Sequence, residues 1–308
     1  SCSNWVTTLY ATNLTILKGG ILTCEGPFTT NNVMSNRVCV TCSTLTIERE
    51  GAIDVQGKGW SGGYNPSGGS GVGYGPGGGV YMCGAGYGGV GEQGEASYRL
   101  TNTYGSATAP LDPGSGGWGY IYTWGGHGGG AVRIVASQLV VNGRINANGT
   151  SARNSIHATG GSGGGIYITC STIVGTNGLV TANAGNPEMG HSGGGSGGGR
   201  IAVHYDTAAQ AGLSEQPSIQ FQASPSLSGS RKTVGDIGTL YFPDSTLFSP
   251  TNLFSGQWVG PGPSGALTLS DWTVSNVWLR MPGFDVTVTN ALTVAGTNTL
   301  LHRLEFTN

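Results

Sequence analysis

Apolar and polar residues alternate in short runs along most of this chain. Leu14-Thr15-Ile16, Leu45-Thr46-Ile47, Ile53-Asp54-Val55, Val132-Arg133-Ile134, Ile166-Tyr167-Ile168 and Ile201-Ala202-Val203 carry the pattern in the first two thirds. A period of two over so few residues predicts short, half-buried β-strands, and the single glycines and Asn-Gly pairs between them supply positive φ at corners. Helical periodicity is confined to one or two turns over Thr207–Glu215. A polar stretch over 206–235 carries Arg231-Lys232. Alternation then resumes at Leu240-Tyr241-Phe242, Leu267-Thr268-Leu269, Val277-Trp278-Leu279, Val286-Thr287-Val288, Leu292-Thr293-Val294 and Leu304-Glu305-Phe306.

The runs repeat in register. Leu14, Gly20 and Gly26 recur as Leu45, Gly51 and Gly57 at an offset of 31. Glycine runs at Gly125–Gly130, Gly160–Gly165 and Gly193–Gly199 each lead into a strand, so that Val132, Ile166 and Ile201 stand 34 and 35 residues apart. Ile134, Ile168 and Val203 keep the same spacing, and Asn142-Gly143, Ile145 and Ala147-Asn148 recur as Asn177-Gly178, Val180 and Ala182-Asn183. Five such units of short strands and tight corners predict an all-β chain, folded as a right-handed parallel β-helix. In that solenoid each coil lays its strands on those of the coil before. A β-sandwich and a stack of glycine-rich extended helices are the alternatives. A sandwich calls for hairpins about every 8–12 residues, which would not align repeats of this length.

Composition sharpens the middle of this picture. Glycine supplies 59 of the 308 residues, and 45 of them lie within 57–199. A disordered linker would lack aromatics, yet 11 of the 19 Tyr and Trp residues fall between Trp60 and Trp124. The region is therefore ordered, with glycine backbones packed side by side where a Cβ would intrude. Three parts follow: N-terminal coils over 1–58, glycine-rich coils over 59–205 with a long aromatic and glycine excursion over 59–124, and a polar connection with further coils over 206–308. The excursion folds over or projects from one face, and Trp60, Tyr64, Trp118, Tyr120, Tyr122 and Trp124 are its candidates for stacking on sugars or on a neighbouring subunit. The strand-like end near Asn308 points to a longer parent protein or to pairing with another copy.

A formal charge of −2 removes the basic footprint of a nucleic-acid binder, and no apolar run reaches membrane-spanning length. No basic-then-apolar leader stands at Ser1, which reads as a mature or trimmed chain. Glycine shows no strict period of three, so collagen is excluded.

One resemblance rests on the order of several segments. These are Leu45-Thr46-Ile47 with Gly51-Ala52-Ile53-Asp54-Val55, Gly84-Ala85-Gly86-Tyr87-Gly88-Gly89, the stretch 104–117, the three strands that follow glycine runs, and Asp236-Ile237-Gly238-Thr239-Leu240-Tyr241. Over roughly residues 13–245 the chain resembles the glycine-rich modules of giant secreted and cell-surface proteins, many of them bacterial. The resemblance implies a β-helix and an extracellular location, and it assigns no activity to any residue.

Cys2, Cys24, Cys39, Cys42, Cys83 and Cys170 are an even set, four of them within the first 42 residues, and are expected to form structural disulfides that staple the N-terminal end. Cys39-Val40-Thr41-Cys42 has neither a second C-x-x-C nor a βαβ setting, so metal and redox readings fall. Cys42 and Cys170 hold matching unit positions two coils apart, too far to bridge each other. Asn13 and Asn148 head glycosylation sequons, which act only in a eukaryotic source.

Apparent catalytic motifs dissolve on inspection. Gly190–Gly194, Gly194–Gly198 and Gly160–Gly164 match G-x-S-x-G but lack the following helix. Gly73–Gly78 and Gly84–Gly89 match a dinucleotide fingerprint, again with no helix to hold a phosphate. The glycine runs contain no aspartate for calcium. His127, His157, His191 and His204 read as corner residues near successive glycine runs, and Asp54, Glu92, Glu95, Asp112, Glu188 and Asp206 are scattered. No cofactor, metal or catalytic residue is assigned. The sequence therefore points to an extracellular structural or adhesive scaffold, with self-association or surface polysaccharide as partner. The alternative is a polysaccharide lyase, glycoside hydrolase or carbohydrate-binding module on the same fold.

Overall fold

Each alternating run becomes a strand, and each strand lies beside the corresponding run of the neighbouring repeat. The computed structural model describes residues 7–30, 37–93, 101–152, 157–187, 193–227, 234–249, 254–263, 265–296 and 303–306. The first repeats give β1 (Leu9–Ile16), β2 (Ile21–Leu22), β3 (Val38–Ile47) and β4 (Ala52–Asp54). The excursion contributes β5 (Ser70–Gly71) and β6 (Gly119–Tyr120), which pair antiparallel. The central repeats give β7 (Ala131–Val141), β8 (Arg144–Asn146), β9 (Gly165–Thr169), β10 (Thr172–Val174), β11 (Thr176–Thr181) and β12 (Arg200–His204). A short helix α1 (Thr207–Ala211) precedes β13 (Ser218–Gln222), β14 (Thr239–Tyr241) and β15 (Phe254–Val259). The last strands are β16 (Leu267–Ser275), β17 (Trp278–Arg280), β18 (Val286–Ala295) and β19 (Arg303–Glu305).

The chain is all-β, with fifteen of its strands in one large parallel sheet curled nearly into a barrel and the pairs β5–β6 and β16–β18 standing as separate two-stranded sheets. One path through the sheet runs β1-β3-β7-β9-β12-β14, the other β2-β4-β8-β11-β13. They meet at β15, whose Phe254 and Ser255 pair with β13 while Gln257–Val259 pair with β14. Parallel in-register pairing stacks like on like. Val38, Val132, Ile166, Ile201, Leu240 and Trp258 form one row. Leu22, Ile53, Ile145, Val180, Phe221 and Phe254 form the facing one. These rows fill a single core, aliphatic through β12 and aromatic beyond it, where Phe221 and Phe242 meet edge to face at 5.1 Å.

A polar ladder runs beside the core. The Asn183 N–H donates to Asn148 Oδ1 at 2.6 Å, and the Ser224 N–H donates to Asn183 Oδ1 at 2.8 Å. Across offsets of 35 and 41 residues, corner backbone groups are thus satisfied by the side chain of the preceding repeat. Asn148, one of the two sequon asparagines, is committed to this ladder, while Asn13 is exposed on β1.

After β14 the circuits shorten. Gly256 pairs with Leu279 and Leu279 with Leu304, so neighbours stand 23 and 25 residues apart. The runs at Val286 and Leu292 are one continuous strand, β18, rather than two. The stretch Thr207–Ala211 is helical, as its periodicity predicts, with Asp206 accepting from the Ala208 and Ala209 N–H groups as its N-cap.

The glycine runs are a second structure built onto the first. From 114 to 118 the backbone N–H groups turn through three directions. Gly114 and Gly117 donate to Gly129 and Gly126, and Ser115 and Trp118 to the hydroxyls of Ser162 and Thr159. Gly116 donates to Tyr74. The run 125–130 repeats the scheme: Gly125 and Gly128 reach Gly63 and Trp60, and Gly126 and Gly129 reach Thr159 and Ser162. His127 and Gly130 reach Thr150 and Val55. A period of three with every bond leaving the segment is the signature of extended, polyproline II-type helices packed in a bundle. Parallel in-register strand stacking and glycine-rich extended segments, the latter an alternative at the level of sequence, coexist.

Interhelical bonds of about 2.8–3.0 Å leave no room for side chains between the helices. A Cβ built on Gly62 would overlap the Gly125 carbonyl oxygen, and one on Gly163 the Ala182 carbonyl oxygen. The excursion is therefore not a loop over a finished face. Its segments at 59–63, 71–79, 84–91 and 114–119 are members of the bundle.

Candidate functional site

The bundle has two ends. At one, Gly130, Gly164 and Gly199 run into β7, β9 and β12. Antiparallel pairing of 60–63 with 125–128, and of 114–117 with 126–129, fixes what collects at the other: Tyr64, the segment Trp118–Trp124 and, through Gly79 bonded to Gly116, the turn at Tyr81 and Met82.

The six aromatic candidates separate there into two groups. Trp60 is 7% exposed and packs on Phe28 with centroids 4.9 Å apart, and Trp118 is 3% exposed and stacks on Tyr120. These two fill the interior of the bundle and are withdrawn as contact residues. Half-buried Tyr120 meets the His157 ring edge-on at 5.1 Å. Tyr64, Tyr122 and Trp124 are 37%, 62% and 47% exposed. Tyr64 lies flat against Trp124, 4.5 Å between centroids and 10° between planes. The indole also stands 6.2 Å from the His127 ring, tilted by 60°.

Trp124 lines a cleft of about 490 Å³ together with Tyr122, His127, Thr150 and Ser151 among others. His127 Nδ1 accepts the Gly62 N–H at 3.0 Å, which leaves the proton of the neutral ring on Nε2. Thr150 Oγ1 accepts the His127 N–H at 2.7 Å. Ser151, exposed at the rim, accepts from the Asn186 N–H. His127, Thr150 and Ser151 escape the sequence reading of the cleft. Their one signal is the position of His127 inside a GG-x-GGG run.

The remaining candidates do not assemble into a catalytic group. His204 lies at the β12 end, against Tyr241 and bonded to the Thr108 carbonyl, away from His127 and His157. His191, Glu95, Glu188, Arg231, Lys232 and the motif start at Gly190–Ser192 lie outside the described residues. Ser162 and Ser196, the centres of the other two G-x-S-x-G matches, are fully buried and bonded to Ser115 and Gly160. Asp54 is engaged by Arg144 and Asn146, and Asp206 caps α1. Among the described residues, no three His, Cys, Asp or Glu side chains are grouped to hold a metal.

The expected disulfides are corrected. Among the described residues Cys24, Cys39, Cys42, Cys83 and Cys170 form no disulfide, and Cys2 lies outside the described residues. Stacking explains part of this. Cys39 and Cys42 of β3 face Arg133 and Ala136 of β7, not cysteines. Thr169 faces Val135, which places Cys170 two strands from Cys42, as the repeat spacing predicts. Burial pushes the Cys170 thiol up to about 12, and burial, partly offset by Lys58 and Arg37, pushes Cys24 up to about 11. Both are inert thiols. No family model, no curated protein and no solved structure matches this chain.

Proposed function

We propose that this chain is an extracellular scaffold with an adhesive end, in which a right-handed parallel β-helix supports the glycine bundle and the bundle presents aromatic side chains. The observation that carries the reading is the exposed Tyr64, Tyr122 and Trp124 group at the end of the bundle remote from β7, β9 and β12. Exposed, pre-stacked aromatics on a rigid support are a contact surface with little ordering entropy left to lose. The solenoid reading draws support from the like-on-like rows and the Asn148–Asn183–Ser224 ladder. The extracellular assignment rests on the resemblance to glycine-rich modules of secreted proteins and on the adhesive end, since the thiols lend it nothing.

The test is adhesion. Fluorescently labelled protein is applied to polysaccharide-coated surfaces and to intact cells, with Tyr64→Ala/Trp124→Ala as the partner variant. Retention of the native chain and loss in the variant is the expected outcome; equal retention of both refutes the role of this end.

Self-association has its own observation. Among the described residues β1 pairs with β3 alone and exposes Tyr10, while β18 pairs with β16 alone and exposes Leu292 and Val294. Two different apolar edges, on β1 and β18, favour head-to-tail contact, which grows filaments. Negative-stain micrographs of concentrated protein are then expected to show fibres. A strict monomer by light scattering at the same concentration removes this version.

A further inference from the structure

Two turns at this end of the bundle, one of them lining the cleft, have a backbone that their residues do not favour. In Tyr120–Thr123, Ile121 and Tyr122 have φ of 43° and 60°, and the Thr123 N–H closes on the Tyr120 carbonyl at 3.2 Å. In Val80–Cys83, Tyr81 and Met82 have φ of 48° and 67°, and the Cys83 N–H closes on the Val80 carbonyl at 2.8 Å. Two consecutive positive φ values mark a type I′ turn, for which Asn-Gly is the preferred pair. A β-branched residue such as Ile121 is a genuine outlier there. Four of the seven non-glycine residues with positive φ, among those described, belong to these two turns. Glycine is abundant everywhere else in the bundle and missing where the backbone most favours it. Strain held in this way clusters at functional positions. Each turn puts an exposed ring at its tip, Tyr122 and Tyr81.

We propose that the cleft at Tyr122, Trp124, His127 and Ser151 binds a neutral, pyranose-containing glycan, and that the strained Ile121-Tyr122 turn is kept because it sets the Tyr122 ring at the cleft. This rests on the adhesive reading above and names its ligand. The Trp124 indole, stacked on Tyr64, half exposed and lining the cleft, takes the C–H face of a sugar ring. The rim hydroxyl of Ser151 supplies a directional polar group of the kind a pyranose requires. Among the described residues the lining contains no Asp, Glu, Lys or Arg, which favours a neutral sugar over a uronate or a sulfate ester.

The experiment is affinity electrophoresis of the full chain through gels holding neutral polysaccharides (a β-glucan, a mannan, a galactan, a xylan) or anionic ones (an alginate, a sulfated galactan), with thermal unfolding in parallel. The native chain is expected to be retarded by at least one neutral polysaccharide, and Trp124→Ala to bind it about tenfold more weakly or worse. The double variant Ile121→Asn/Tyr122→Gly is expected to lose binding to the same degree while its Tm rises by about 2–4 °C, because the new pair suits the turn. Trp124→Ala keeps the native Tm within about 2 °C, which separates binding from folding. Retardation by anionic polysaccharides alone, or by none, overturns the ligand class and leaves the adhesive reading to its own surface assay. Native-like binding by the double variant, or a fall in its Tm, overturns the assignment of the strained turn.

Discussion

Gly163→Ala tests the packing of the bundle at one methyl group. The Cβ would sit on the Ala182 carbonyl oxygen, and the Gly199 nitrogen and Ala182 carbonyl carbon stand within 2.6 Å of it, where ordinary contact begins at 3.4 Å. That oxygen already accepts the Gly199 N–H at 2.8 Å, so the methyl would wedge open a buried backbone hydrogen bond. The obstruction is backbone on both sides and has no rotamer to yield. Overpacking costs about 1–3 kcal/mol, and loss of a buried hydrogen bond about 1–3 kcal/mol more. Lower unfolded-state entropy returns about 0.4–1 kcal/mol. The net is a destabilisation of about 2–5 kcal/mol, read from guanidinium unfolding followed by far-UV circular dichroism. Gly212→Ala is the control. It caps α1 at φ −74° and its Cβ meets nothing nearer than 3.3 Å, so it is expected to stay within about 1 kcal/mol of the parent. A Gly163→Ala protein as stable as that control refutes backbone-to-backbone packing as the reason for the glycine.

Phe221→Ala empties the junction where Phe221, Phe242 and Phe254 meet, and the expected loss is about 3–5 kcal/mol in the same unfolding experiment. The thiol predictions follow from burial: at pH 8, Cys170 and Cys24 of the folded chain are expected to react with a disulfide reagent far more slowly than in guanidinium. The Arg280 guanidinium bonds Glu305 at 2.7 Å and Asp236 at 3.1 Å. Burial alone would push the Glu305 carboxyl up, but its hydrogen bonds from Arg280 outweigh this and hold it below the usual range. Its folded-state value is thus depressed, so the stabilisation is fully present above the unfolded carboxyl range and fades as pH falls through the folded value. Unfolding midpoints between pH 7 and pH 3 are expected to fall less steeply for Glu305→Gln than for the parent, and parallel curves would discount the pair.

The strand rows were legible because parallel in-register stacking turns a repeat offset directly into a contact. Offsets of 31, 34 and 35 in the sequence are the pairings Leu14 with Leu45, Val132 with Ile166 and Ile166 with Ile201. The split among the aromatics was not legible, since Trp60 and Tyr64 lie four residues apart in the same glycine-rich stretch. What buries one and exposes the other is the place where the antiparallel segments 60–63 and 125–128 end, a tertiary fact. The cysteine expectation failed for a related reason. An even count suggests pairing, but stacking aligns each cysteine with whatever its neighbouring repeat carries at that offset, and for Cys39 and Cys42 that is Arg133 and Ala136.

The strained turns and the glycine packing are two sides of one arrangement. A residue in the left-handed region costs about 1–3 kcal/mol and persists only where its surroundings over-determine it. Around Ile121 and Tyr122 the determinants are mostly main-chain bonds, Ile121 N–H to Gly69 and Gly125 N–H to Gly63, with Trp118 N–H held by the Thr159 hydroxyl. Position at this end is thus set largely by main chain, while the Tyr122 ring rests on Gly68 and Trp124 on Tyr64, and both rings stay largely exposed. Such a bundle tolerates a change of side chain at its tip and resists a methyl group in its interior. Residues at the tip are free to be chosen for what they contact, which is the physical basis for placing recognition there.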